Sequence, residues 1–455
     1  MQPRPYDRRD TSHAQRPLTL TPMEKLDLAE LSAEIDRVNR MIAFQTANGQ
    51  ATQALYAYRT SLQNEFERIS MYDPALLPVP MARPIYDRRR IHGVDSLLAH
   101  NRNQPFLYEQ MTGFSPDETR LLLSKNVMGT NDFAIPKRGS LCPEALLVLV
   151  LCRLRSTTQH LDHMGEVFGV DAGFISDFFE VGLNYLAENH LHRLELDNLS
   201  KWAPRLEKYC DAFVDHFNAR MGGGYATLPQ PRFAGCNCTL DGTHFTICDP
   251  GDDTYYSGYV GDYNVGVLGI TGACGMTMAL SPVYAGSAND PGMAIDCDLN
   301  RKLHDASPGP VHPPMRALCD AIFGLASNIS PLPKSNIVHP YTKGELATLS
   351  SIRVSVEWNF CEFKMEMFHM NQQYKQKVNQ TLPALIIRCA FFLRNLKRTL
   401  RGCNATTYFG VYPPTLDEYL AMYSWLGRVC CTCCISRNYG ELLATQSRSV
   451  SFHTV

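Results

Sequence analysis

Three acidic residues in the second half of the chain have the types and spacing to bind metal. Asp241 and Asp320 each follow a short apolar run typical of a strand, and Glu357 lies in a long stretch of helical periodicity. Clustered carboxylates repel one another, and a divalent cation relieves that repulsion. Two such ions about 3.5–4 Å apart activate water or a 3′-hydroxyl and stabilise the leaving oxygen of a phosphoryl displacement. We therefore predict a two-metal phosphodiester site with Asp241, Asp320 and Glu357 as its catalytic acids.

The elements around these acids predict how they come together. Three strands are predicted first: one over 236–240 and 243–247, one over 264–271 and one over 276–285. A helix is predicted after Pro291. A strand ending at Asp320 and a helix over 345–370 complete the order β-β-β-α-β-α. We expect strand ends at one sheet edge to place Asp241 beside Asp320, with the helix bringing Glu357 to the same point. The predicted fold class is α/β, an RNase H-like mixed sheet core with flanking helices, preceded by an all-α, helix-turn-helix-like region.

The predicted long helix has one apolar face and one charged face. Its buried stripe is predicted to contain Ile352, Val356, Phe360, Phe363 and Met367. Arg353, Glu357 and Lys364 lie together on the helix surface, about 100° around the helix axis from this stripe. This arrangement predicts that Glu357 binds metal while Arg353 and Lys364 hold a DNA phosphate. The alternative is an ordinary ion pair on a solvated face.

A second candidate DNA contact is the basic stretch over 371–401, which has no acidic residue. Its cations are Lys375, Lys377, Arg388, Arg394, Lys397, Arg398 and Arg401. The net charge of −2 excludes a protein that coats nucleic acid by charge alone, so DNA binding has to be local. The predicted DNA-binding residues here are Lys375, Lys377, Arg394, Lys397, Arg398 and Arg401. The alternative is a solvated helix face above an apolar side packed inward.

The rest of the chain divides by composition and periodicity. The predicted segments are 1–22 disordered, 23–70 a helical hairpin, 71–105 a linker, 106–221 a helical (helix-turn-helix-like) domain, 233–372 the RNase H-like nuclease domain, and 373–455 a basic helix and Cys-containing tail. In the helical domain, Asp171 is predicted to cap a helix. No Lys or Arg occurs between Arg155 and Arg193, which favours a structural or protein-binding module over groove recognition.

Composition bears on the compartment. No apolar run reaches the roughly 18 residues of a membrane span, and the polar, Arg-rich start is unlike a secretion signal. The 16 cysteines lack the spacing of a secreted scaffold, so we expect reduced thiols inside a cell. A zinc site from Cys236 and Cys238 with the cysteines at 430–434 is disfavoured, because the latter are too tightly spaced to wrap one ion.

Four segments resemble the DDE domain of PIF/Harbinger transposases. They are LDGTHFTICDP around Asp241, YAGSANDPGM around Asp290, ALCDAIFG around Asp320 and LSSIRVSVEWNFCEFKMEMF around Glu357. The resemblance implies a nuclear DNA transposase, or a host protein derived from one, that cuts and joins DNA at transposon terminal repeats with Mg²⁺ or Mn²⁺. It also implies a separate Myb-like DNA-binding partner, and it leaves a homo-oligomer open. Asp290 matches an acidic position of the family and is predicted as a fourth metal ligand, outside the triad because it follows the third strand.

This chain departs from the family pattern after Tyr255-Tyr256-Ser257-Gly258. Where the family has a basic run, residues 259–264 read YVGDYN, with one acid and no cation. His244 is predicted to orient a phosphate or water, or else to be structural. The alternative function is a catalytically inactive, transposase-derived adaptor that binds DNA or protein.

Overall fold

The structure is a computed structural model that describes part of the chain. The described residues are 35, 37–39, 62, 105–136, 138–156, 161–168, 170–306, 314–334, 338–371 and 383–423. The chain divides into two units, Met1–Tyr86 and Asp87–Val455, and the fold below is that of the second. The predictions for 1–22, for Lys375 and Lys377, and for the tail beyond 423 lie outside the described residues, as do nearly all positions of the predicted hairpin and linker.

Helices dominate the described residues from 105 up to the main sheet. The helices and one small hairpin are α1 (Pro105–Thr112), α2 (Pro116–Ser124), β1 (Phe133–Ile135), β2 (Gly139–Leu141), α3 (Pro143–Arg155), α4 (Leu161–Phe168), α5 (Ala172–His190) and α6 (Ala203–Met221). As predicted, Asp171 caps a helix: its carboxylate accepts a 2.8 Å hydrogen bond from the Phe174 backbone N–H at the start of α5.

A mixed sheet and its helices follow. They are β3 (Cys238–Thr246), β4 (Tyr256–Ser257), β5 (Asp262–Gly272), β6 (Thr277–Leu280), β7 (Tyr284–Ala285), α7 (Asp290–Asp296), α8 (Leu299–Asp305), β8 (Ala317–Cys319), β9 (Ile329–Pro331), α9 (Lys343–Glu366), α10 (Pro383–Arg401), α11 (Asn404–Phe409) and α12 (Leu416–Ala421). None of the helices within the described residues is both long and apolar enough to cross a bilayer.

The sheet has the strand order of an RNase H-like core. Strand β6 pairs antiparallel with β5, and β5 pairs antiparallel with β3 along nine residue pairs from Cys238↔Gly272 to Thr246↔Asn264. Strand β3 then pairs parallel with β8, and β8 pairs parallel with β9. Three antiparallel strands followed by two parallel ones give the order β6-β5-β3-β8-β9. The predicted fold class is confirmed.

Three details of the predicted element order are wrong. Strand β3 does not end before Asp241 but runs through it, because residues 242–246 continue the ladder with β5. The predicted third strand is broken into β6 and β7, since Pro282 lies between them and has no N–H for a ladder bond. The predicted order also lacks β9, the short strand at the end of the sheet order.

Helix α9 is held between the sheet and α10. It begins with a capping box in which Thr342 and Glu345 bond each other's backbone N–H groups. The predicted stripe from Ile352 to Met367 is buried throughout. The Phe360 ring lies against β5, where a Cβ atom at Gly269 would come within 2.8 Å of it. Phe363 stacks on Phe391 of α10 at a centroid distance of 3.9 Å.

The helix-turn-helix-like region is also part of this core. Helix α5 packs against α3, α4 and α10, and Phe174, Phe178 and Leu186 on it are buried. These contacts make α5 a structural element of the fold, in line with its lack of Lys and Arg.

Candidate active site

Strand register brings Asp241 and Asp320 together. In the parallel pair β3–β8, Leu240 lies opposite Cys319. The residues that follow these two are Asp241 and Asp320, so they are neighbours across the pair of strands. Successive side chains of a strand point to opposite faces, so the Asp241 carboxylate lies on the face of the sheet opposite the buried Leu240, and Asp320 follows directly after the end of β8. The Asp241 side chain is 17% exposed. Asp320 is exposed, and its carboxylate accepts a 2.7 Å hydrogen bond from the Ala321 N–H.

Arg353 joins the acid of helix α9 to the acid of β3. Its Nη1 lies 3.4 Å from Asp241 Oδ2, and its Nη2 forms an ion pair with Glu357 Oε1. Arg353 is 13% exposed, whereas Glu357 is 47% exposed. The helix therefore docks on the sheet as predicted, and its charged face meets Asp241.

Asp290 lies at the start of α7 and packs directly on β3. A Cβ atom at position 242 would lie 2.3 Å from Asp290 Oδ1, so Gly242 is the residue that allows this approach. His244 Nε2 lies 3.9 Å from the same oxygen, and His244 Nδ1 shares a 3.1 Å hydrogen bond with Asn264 Oδ1. The imidazole is thus oriented by Asn264 toward Asp290.

The carboxylates influence one another electrostatically. Burial raises the pKa of Asp241 from 3.8 to about 7, Arg353 and the Gly242 N–H oppose this rise, and the charges of Asp290 and Glu357 add to it. Burial also raises the pKa of Asp290, with Asp320 adding to the rise and His244 opposing it. Asp241 thus interacts with Asp290 and Glu357, and Asp290 also interacts with Asp320. The four acids therefore form one acidic cluster: Asp241, Asp290, Asp320 and Glu357.

The acidic cluster offers the right donors for a divalent cation, though not yet the spacing. Carboxylate oxygens are the ligands that Mg²⁺ and Mn²⁺ prefer. The raised pKa of Asp241 reflects crowding and burial that a cation would relieve. Among the described residues, however, no three His, Cys, Asp or Glu side chains already form a group that could hold a metal ion. A cation shared by Asp241 and Glu357 would take the place of Arg353, which lies between them.

A pocket of about 470 Å³ opens beside the acids. It is lined by Asp241, Thr243, Glu357, Phe360, Lys364 and Phe368, among others. Lys364 Nζ lies 5.3 Å from the centre of the Phe245 ring, and burial lowers the pKa of this amine. The predicted phosphate contacts Arg353 and Lys364 therefore both lie at the acidic cluster.

The predicted DNA-binding face of α10 is largely buried, which corrects the sequence interpretation. Arg394 is 2% exposed and pairs with Glu362 at 2.6 Å, and Arg398 pairs with the same carboxylate at 2.7 Å. Lys397 pairs with Glu366 at 3.2 Å. The guanidinium groups of Arg394 and Arg398 therefore have no exposed face for a phosphate. Burial alone would raise the pKa of Glu366, but the charges of Lys397, Arg394 and Arg398 hold it below its usual value.

The last cation of this predicted face, Arg401, is partly exposed. It pairs with Glu109 of α1 and Glu118 of α2. Because acids from other elements neutralise Arg401, its charge ties α10 to the first helices. The alternative of a solvated helix face above an apolar side is confirmed only for the apolar side: Leu385, Ile386 and Phe391 are buried, but so are Arg394 and Arg398.

Asn359 is a functional position that the sequence interpretation missed. Its side-chain N–H₂ donates to Thr271 Oγ1 of β5 at 2.7 Å and to Thr277 Oγ1 of β6 at 2.9 Å, while Arg394 donates to its backbone carbonyl at 2.7 Å. These buried bonds fix the helix that carries Arg353 and Glu357 on the sheet. The available signal was an amide within the mostly apolar face of the helix.

The geometry agrees with a sequence comparison. Residues 240–395 match the family model of the DDE superfamily endonucleases. The matched segment begins one residue before Asp241 and spans the whole acidic cluster, so it supports a DDE transposase-like nuclease domain. Endonucleases of this superfamily generally depend on divalent metal ions. No curated protein and no solved structure matches the chain.

Proposed function

We propose that this protein is a divalent-metal-dependent DNA nuclease of the DDE transposase type. The observation that carries the proposal is the convergence of Asp241, Asp320 and Glu357 where the adjacent strands β3 and β8 of an RNase H-like sheet meet helix α9, inside a segment that matches DDE endonucleases. Asp290 is proposed as a fourth ligand. The finer assignment, a nuclear PIF/Harbinger-type transposase that acts on terminal repeats with a Myb-like partner, rests on the sequence resemblance, as does homo-oligomerisation.

The residues of the cluster divide the work as follows. Asp241, Asp290, Asp320 and Glu357 would hold Mg²⁺ or Mn²⁺, and a bound pair of ions would supply the polarisation of water and of the scissile phosphate. Arg353, released from the carboxylates, would face the phosphate with a planar pair of N–H donors. Lys364 would add a second positive charge from the adjoining pocket. His244 would keep the Asp290 carboxylate oriented.

A nicking assay tests this proposal. Purified protein is incubated with duplex DNA that carries the genomic repeats flanking its gene, in Mn²⁺ or Mg²⁺. We expect strand breaks from the wild type, at least a hundredfold fewer from Asp241→Asn or Glu357→Gln, and none in a chelator. Glu207→Gln, an exposed substitution on α6, is the matched control and should cut normally. Equal nicking by wild type and Asp241→Asn would reject the metal mechanism.

The inactive adaptor is a second candidate because two observations favour it. Asp320 is exposed and bonded only to the neighbouring backbone within the described residues, and Arg353 already neutralises Asp241 and Glu357. An adaptor would bind DNA or a protein without cutting in any metal. Wild-type protein that binds repeat DNA but never nicks it, with the folded state verified, supports the adaptor over the nuclease.

A further inference from the structure

A second cleft begins where the acidic cluster ends. Its lining begins with Ala321 and Phe323, just after Asp320, and continues with residues 330–334 and 338–341. Its volume is about 730 Å³, within the usual range of a pocket for a small organic group. Because Ala321 lines the cleft and directly follows Asp320, the cleft lies next to the acidic cluster.

The charge of this cleft is entirely positive among its described lining residues. Arg232, Arg316 and Lys334 line it, and no Asp or Glu does. None of the three forms an ion pair with an acid in the described part of the chain, whereas Arg138, Arg205, Arg301 and the cations of α10 do. An unneutralised group of cations in a concave surface attracts an anion.

The cleft wall also holds buried nitrogen atoms that lack a partner. Arg316 donates from Nη1 to the Ala234 carbonyl at 2.9 Å, but its Nε is buried with no hydrogen-bond partner. His339 Nδ1 is in the same state, and its ring stacks on Tyr341. Unsatisfied buried polar atoms are costly, and side chains that turned toward a bound acceptor would relieve that cost.

We propose that this cleft binds the DNA strand beside the scissile bond, holding one nucleotide. Its phosphate is bound by Arg316, Arg232 and Lys334, and its sugar and base lie on the apolar wall formed by Phe323, Pro331 and Tyr341. The proposal rests on the proposed function for the identity of the strand. It assigns the DNA contact, which the buried cations of α10 cannot supply, to the cleft that follows Asp320.

Salt-dependent DNA binding tests the cleft. Affinity for a short labelled duplex is measured by fluorescence anisotropy in Ca²⁺ at several salt concentrations. For Arg316→Gln/Lys334→Gln we expect at least a tenfold loss of affinity and a log–log salt slope less negative by about one to two, because each lost phosphate contact removes roughly one unit. Arg120→Gln, which removes an exposed, ion-paired arginine of α2, is the control and should match wild type. Arg316→Lys with Lys334 intact should keep the slope.

The outcomes separate this proposal from the nuclease. If the double variant has the same affinity and salt slope as the control, the proposed DNA-binding cleft is wrong. It is also wrong if the wild type binds no DNA. Nicking that Asp241→Asn leaves unchanged, combined with the weakened binding of the double variant, removes the nuclease and keeps the cleft. Equal melting temperatures of the double variant and wild type show that lost binding is not lost folding.

Discussion

Asp241→Asn is predicted to stabilise the metal-free protein while it removes activity. The carboxylate is buried beside Asp290 and Glu357, and its pKa in the folded state is about 7 against an ordinary 3.8. The folded state therefore binds a proton more tightly than the unfolded state does. Stability from this group is lost as pH rises through the window from about 4 to 7, and is lowest above it.

The size of the effect follows from the shift. At about 1.4 kcal/mol per pKa unit, a shift of about three units lowers the free energy of unfolding by roughly 4 kcal/mol at pH 8. About 3 kcal/mol of this loss occurs between pH 5 and pH 8. The neutral amide avoids this cost at every pH. We expect the free energy of unfolding of Asp241→Asn to exceed that of wild type by a few kcal/mol at pH 8, and by much less at pH 5.

Denaturant unfolding with a chelator present, at pH 5, 6, 7 and 8, measures this gap. Asp117→Asn, at a site that is 87% exposed, serves as the control and should show no gap that grows with pH. A gap between Asp241→Asn and wild type that stays constant from pH 5 to pH 8, or shrinks, would refute the claim that burial and neighbouring acids destabilise this charge.

Three further predictions follow from single contacts. Gly242→Ala places a Cβ atom against the Asp290 carboxylate, so nicking should fall at least tenfold, with Asp290→Asn showing a similar loss; normal nicking by both would remove Asp290 from the metal ligands. Arg394→Met removes the buried guanidinium that pairs with Glu362 and Glu366 and donates to the Asn359 carbonyl, so unfolding free energy should drop by roughly 1–3 kcal/mol, against less than about 0.5 for Arg120→Met at an exposed site; similar values in denaturant unfolding would contradict the structural role of α10. Arg353→Gln removes the cation that competes for the carboxylates, so Mn²⁺ should bind several-fold more tightly in calorimetry, and weaker binding would mean that the guanidinium organises the cluster instead.

Much of the site was predictable because local pattern and topology agree. Ala317–Cys319 is an apolar triplet that ends at an acid, and β8 occupies those residues. The apolar stripe of α9 fixes which side of the helix packs, so the position of Glu357 at the cluster follows from the helical period.

Other features depend on distant residues and were missed. Strand β9 contains Pro331, which argues against a strand in sequence but is tolerated at the end of a sheet. The basic pattern of α10 gives no sign that Glu362 and Glu366, some thirty residues earlier, neutralise Arg394. The contact between Gly242 and Asp290 likewise exists only once the chain is folded.

The most direct test of the acidic cluster is Mn²⁺ binding followed by electron paramagnetic resonance in the presence of repeat DNA. The account predicts at least one Mn²⁺ per chain that Mg²⁺ displaces, with binding lost in both Asp241→Asn and Glu357→Gln and retained in Glu207→Gln. Mn²⁺ binding that is absent from the wild type, or equal in all four proteins, would contradict it.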